Sequence, residues 1–206
     1  MENIKKLFKK DKILLIYRCG SYAFGTTNEN SDEDYVVVLE NFSGLNHYEV
    51  GKKEYFIFGL DEWVEKQEFS DDYDEYFEIF NDEVLAFPNN IIYQDESIKE
   101  LVDKFKNEFK DKYKIWIKKV IKYFDSIIKL NTINKQMYHL IRIKHIIENY
   151  EKFGSFSLDL SKEVIEWINE FKQAENKKLY RDTIVEALTY LKHKGGNDWW
   201  MEQTLH

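Results

Sequence analysis

GSYAFGTTNENSDEDYVVVL, residues Gly20–Leu39, is the stretch that decides the reading of this chain. It opens on a Gly-Ser turn directly after the apolar run from Ile13 to Tyr17, which has the composition of a buried strand. It closes on a second apolar run, Tyr35 to Leu39, entered through Asp32 and Asp34. Carboxylates two apart on an extended segment project to the same face, so both can reach one cation from the rim of a sheet. A short helix beginning near Tyr22 would leave the backbone N–H groups after Gly20 at the positive end of its dipole, a placement suited to phosphate. Gly20 permits close backbone approach, and the Ser21 hydroxyl adds a donor.

The order Gly-Ser, short helix with Gly25, then Ser31-Asp32-x-Asp34 entering a hydrophobic strand resembles the DNA polymerase beta superfamily of nucleotidyltransferases, in particular its predicted bacterial and phage group. The bland alternative is an acidic turn in a hairpin. The resemblance implies an α+β fold: a small mixed β-sheet nucleotidyltransferase domain with flanking helices, followed by a C-terminal helical bundle. It also implies Mg²⁺ (two ions) held by Asp32 and Asp34, with a nucleoside triphosphate as substrate. A third carboxylate is expected on the next strand, and Glu54, in Glu54-Tyr-Phe-Ile-Phe-Gly-Leu60, is the best placed. Relatives most often carry Asp there; Asp61 is the lesser candidate, and a solvated acid at a strand start is the plain alternative. Many relatives also carry Arg after Gly-Ser, where this chain has Tyr22, and Arg18 could approach phosphate instead or pair with a neighbouring acid.

The chain has 206 residues and is 43% hydrophobic, enough for one sizeable core or two small ones. No apolar run approaches the roughly 20 residues of a membrane helix, and the opening MENIKKLFKKDK lacks the apolar stretch of a signal peptide, so a cytoplasmic protein is expected. The single cysteine, Cys19, excludes an internal disulfide and a cysteine zinc site. Charge is uneven. Residues 1 to 98 hold 9 basic against 22 acidic side chains, net −13, and the remainder 21 against 16, net +5. This asymmetry suggests two units, a catalytic domain over 1–97 and a helical domain over 98–206.

Along the chain, Asn3 to Lys10 reads as a short amphipathic helix, Asn41 to Asn46 as a polar turn, Glu54 to Phe58 as a strand near a solvated Glu49, and a helix starts near Leu60. The acidic run from Glu68 to Glu83 lacks the glycine and ligand spacing of a calcium loop and reads as a solvated helix surface with Tyr76, Phe77 and Phe80 inward. Glu78 matches a glutamate found beside the site in relatives. Apolar residues then recur at three and four, giving helices over Ile98 to Phe109, Ile115 to Ile128, Ile133 to Phe153, Ser161 to Phe171 and Lys178 to Lys194. The tail carries Trp199 and Trp200, set to dock on the bundle or form a contact surface.

On the third of these helices Lys135, His139 and Arg142 fall on one face, either a cationic stripe for triphosphate or a basic surface with a core histidine. The run Lys135-Gln-Met-Tyr-His139-Leu-Ile-Arg142 also resembles the Lys, Tyr-His and Arg pattern of the same family's C-terminal helix. Between Lys104 and Lys122, lysines alternate with aromatics at core spacing, which favours packing over single-strand binding. The expected reaction is transfer of a nucleoside monophosphate to an acceptor hydroxyl with release of pyrophosphate. The acceptor is open among an RNA end, a protein side chain and a small molecule, as in antibiotic-modifying adenylyltransferases. The competing class is a catalytically inactive relative used as a binding or regulatory module.

Overall fold

A computed structural model describes residues 8, 11–29, 31–67, 81–130 and 132–195. The chain divides into two compact units, one of residues 1–68 and 74–109, the other of 69–73 and 110–206. Of the helix expected over Asn3 to Lys10 only Phe8, in a turn, is described, and the inward faces of Tyr76, Phe77 and Phe80, Glu78, Trp199 and Trp200 lie outside the described residues.

The first unit is built on a five-stranded mixed sheet: β1 (Ile13–Arg18), β2 (Glu33–Leu39), β3 (Leu45–Val50), β4 (Lys53–Gly59) and β5 (Ile91–Gln94), in the spatial order β3-β4-β2-β1-β5. Only β2 and β4 pair in parallel; every other neighbour is antiparallel. The α+β architecture, with flanking helices and a helical C-terminal region, is the one the resemblance implies. Side-chain alternation explains the two faces. Tyr35, Val37 and Leu39 of β2 meet Ile16 of β1 and Tyr55 and Ile57 of β4 in one buried cluster. The intervening residues Asp34, Val36 and Val38 therefore stand on the opposite face.

Between β1 and β2 lies α1 (Gly20–Ala23). Its start is tied to β2 by the Cys19 N–H, which donates to the Asp34 carbonyl at 2.9 Å. Ser31, the first residue of Ser-Asp-x-Asp, holds the turn into β2: its hydroxyl accepts from the Asn28 N–H at 2.8 Å, and its own N–H donates to the Asn28 carbonyl at 3.0 Å. After β4 comes α2 (Leu60–Gln67), whose Trp63 is buried, hydrogen-bonded through its indole N–H to the Tyr17 hydroxyl at 3.2 Å and packed edge-on to Phe105. Asn81–Ala86 form a 3₁₀ turn, which takes in the end, at Glu83, of the helix surface expected from Glu68.

A 31-residue helix, α3 (Lys99–Lys129), replaces the two shorter helices expected over Ile98 to Ile128. The compact units part within it, after Phe109. In the second unit α4 (Tyr138–Phe153) packs on α5 (Lys162–Gln173) and α6 (Arg181–Lys194). Ser161 caps α5 by accepting from the Val164 N–H, and Gly154 closes α4 in the left-handed region at φ 71°. Asp125 is held by Lys192 at 2.7 Å and Lys129 at 2.8 Å. Among the described residues, no helix is long and apolar enough to cross a membrane.

Candidate active site

The register of the sheet gathers carboxylates at one end of it. Asp34 of β2 stands opposite Glu54 of β4, and Glu54 in turn opposite Glu49 of β3. In-register partners on adjacent strands share a face, so three acids line up across about 10 Å of sheet, two steps of the strand spacing. Asp32 immediately precedes β2 and is exposed, while Asp34 is half-buried. Glu33, between them, belongs to the other face. It accepts from the Tyr35 hydroxyl and sits 3.5 Å from Lys53 Nζ. The Tyr35 hydrogen bond, outweighing desolvation, together with the Lys53 charge, holds its carboxyl below the usual range.

The Gly-Ser turn meets the aspartates directly. Gly20 has φ +59°, and a Cβ there would overlap Asp34 Oδ2. Only glycine leaves the space that the Asp34 carboxylate occupies. Ser21 is half-buried in the next position of α1, and its carbonyl accepts from the buried Thr26 N–H at 2.9 Å. The Gly20 N–H donates to Glu83 Oε1 at 3.2 Å. Tyr22 is 36% exposed, with the Arg18 guanidinium 5.6 Å from its ring centroid. A cation therefore stands beside α1 although Tyr22 itself carries none.

These residues fit Mg²⁺. Carboxylate oxygens are the hard donors it takes, and the space left by Gly20 holds one of them in place. Glu54 faces Asp34 on one side, and on the other its Oε2 lies 3.5 Å from His47 Nε2. Among the described residues, the one set of three possible ligands with all donor atoms within 4.8 Å of one another is His47, Glu49 and Glu54.

Lys135, His139 and Arg142 belong to the second unit. The structure brings two of them together and leaves the third apart. Arg142 is fully buried and donates from Nε at 3.2 Å to His139 Nδ1, with Nη2 also 3.0 Å from that atom. Burial, then the charges of Arg142 and Lys172, push the His139 imidazole well below its ordinary value. The Tyr138 ring lies against the imidazole, tilted by 31° with centroids 3.9 Å apart. Lys135 is exposed in a 3₁₀ turn before α4, where helix was expected.

Two contributors escaped sequence reasoning. Glu83 closes an acidic run whose spacing singles out no member. His47 was legible in principle: a two-residue turn at Gly51-Lys52, with Gly51 at φ 63°, pairs Val50 with Lys53. That register places Glu49 against Glu54 and His47 one step further on the same face.

A mixed sheet carrying an Asp-x-Asp rim against a Gly-Ser turn defines a nucleotide-transferring class of domain. The family model for the nucleotidyltransferase domain matches residues 1–123, and the chain belongs to that family, within the DNA polymerase beta superfamily. Membership supports nucleoside monophosphate transfer as the general activity. No curated protein matches the chain significantly.

Proposed function

We propose that the protein transfers a nucleoside monophosphate from a nucleoside triphosphate to an acceptor hydroxyl, releasing pyrophosphate. The observation that carries this reading is the fit of Gly20 against Asp34, which joins the phosphate-facing turn to the carboxylate rim. Asp32 and Asp34 would hold two Mg²⁺, with Glu54 as the third carboxylate from the neighbouring strand. When bound, the ions offset phosphate charge and lower the pKa of the attacking hydroxyl.

The chain's own residues do the positioning. Asp34 is fixed by β2 on one side and by the Gly20 backbone on the other, so its carboxylate is pre-oriented. The Gly20 and Ser21 backbone offers N–H groups to the terminal phosphates, and Arg18 beside Tyr22 supplies a positive charge near the same turn. In-line displacement needs little covalent chemistry from the protein, so orientation and charge are the terms that count.

Thermal stability titrated with Mg²⁺ and each of ATP, GTP, CTP and UTP tests the reading. A saturating triphosphate at about 100 times its Kd should add ~2.7 kcal/mol of stability, only with Mg²⁺. Asp32→Asn with Asp34→Asn should abolish the gain. Triphosphate binding indifferent to that pair would instead support a non-catalytic binding module. Incubation with α-labelled triphosphates and cell extract then identifies the acceptor by whether label enters RNA, protein or small molecules.

A further inference from the structure

The β3–β4 hairpin adds to Glu54, the proposed third carboxylate, two donors that the transfer reaction does not require, His47 and Glu49. His47 and Glu49 are two apart on β3, on the same face as Glu54 of β4. His47 Nε2 lies 3.5 Å from Glu54 Oε2 and Nδ1 lies 3.8 Å from Glu49 Oε1. The imidazole is stacked on Phe56, its cross-strand partner, with centroids 4.9 Å apart and planes 13° apart. The ring is thereby held between the two glutamates on a short, register-locked hairpin.

Glu49 and Glu54 stand directly opposite each other, and Asp34 faces Glu54 from the next strand. Like charges in facing positions destabilise a sheet, so this row calls for a cation on its own face. All three ligand atoms of His47, Glu49 and Glu54 lie within 4.8 Å of one another. Donors sharing one ion at about 2.1 Å are at most ~4.2 Å apart, so small rotations of two exposed or half-exposed glutamates complete the set. One imidazole nitrogen with two carboxylates is a mixed donor set. It suits a borderline first-row ion such as Zn²⁺ better than the all-oxygen preference of Mg²⁺.

We propose that His47, Glu49 and Glu54 form a second divalent-cation site, for an ion of the Zn²⁺ class, on the β3–β4 hairpin. Glu54 is common to this site and to the row that begins at Asp34. The ion stabilises the hairpin by neutralising the facing glutamates, and it sets the direction in which the Glu54 carboxylate points. The competing arrangement is His47 hydrogen-bonded between the glutamates without metal.

Calorimetric titration of the full-length chain with ZnCl₂, in saturating Mg²⁺, separates the two. One Zn²⁺ per chain is expected, with affinity falling at least about tenfold in His47→Ala and in Glu49→Gln and retained in Asp34→Asn. Co²⁺ should give a visible absorption band that the same two variants remove. Zn²⁺ affinity unchanged in both hairpin variants, complete displacement by Mg²⁺, or no Zn²⁺ heat overturns the site. If the heat is absent while Mg²⁺-dependent triphosphate stabilisation persists, this proposal alone fails. If the heat persists without any triphosphate effect, only the transferase reading fails.

Discussion

The backbone N–H of Gly20 donates to the Glu83 carboxylate at 3.2 Å, across 63 residues of sequence. In the proposed function that N–H faces phosphate, so protein carboxylate and nucleotide phosphate compete for one donor. Glu83→Gln keeps an oxygen acceptor for Gly20 and removes the negative charge beside the incoming phosphates. The triphosphate Kd at fixed Mg²⁺ should fall about tenfold, equivalent to ~1.4 kcal/mol. Isothermal titration measures it directly. A weaker complex in the variant would make Glu83 a support of the turn rather than a rival of the phosphate.

Gly20→Ala should damage both stability and nucleotide binding. The positive φ alone costs about 1–2 kcal/mol for a residue with a Cβ, and the new methyl group must displace the Asp34 carboxylate. A Tm drop of roughly 2–8 °C is expected for a chain of this size. Gly25→Ala is the matched control: its φ is +65°, and a Cβ there meets nothing within 4 Å. Both variants should lose stability, and only Gly20→Ala should lose the Mg²⁺-dependent triphosphate gain. Equal loss of that gain in both would remove the Gly20–Asp34 contact from the binding argument.

Apolar runs and turn chemistry made β1, β2, β4 and the approach of the Gly20 turn to Asp34 readable, because each rests on local sequence. β5 was missed because its four residues are all half-buried and carry no alternation. β3 is exposed along its whole length, so no apolar period marks it. The apolar period reads as one helix ending at Phe109 and a second starting at Ile115. Residues 99 to 129 contain no glycine or proline, and lysine is a good helix former, so one helix continues. The face shared by His139 and Arg142 was legible from their spacing. That it turns inward was set by packing against α5 and α6, which no local period records.

The buried pair Trp63 and Tyr17 ties α2 to β1. Tyr17→Phe keeps the ring and its edge-on contact with Phe87 at 5.0 Å, but removes the oxygen that accepts from the indole. Desolvation of the unsatisfied N–H should cost about 1–3 kcal/mol. Urea unfolding should show a lower midpoint with an unchanged m-value. A midpoint equal to that of the parent protein would mean that the indole has found another acceptor.

His139 gives the second unit an acid-sensitive core. Its Nδ1 accepts from Arg142, so the imidazole is neutral with its proton on Nε2, and burial opposes any second proton. Its folded value lies well below the roughly 6.5 of an unfolded histidine. Above about pH 6.5 both states are neutral there and no stability is lost. As pH falls below that value the unfolded chain takes up a proton that the folded chain refuses, so stability declines until the folded value is reached. His139→Gln retains an acceptor for Arg142 without titrating. Urea midpoints measured at pH 7.5, 6.5 and 5.5 should fall less steeply in the variant than in the parent protein. Parallel slopes would show that His139 is not the group that limits stability in acid.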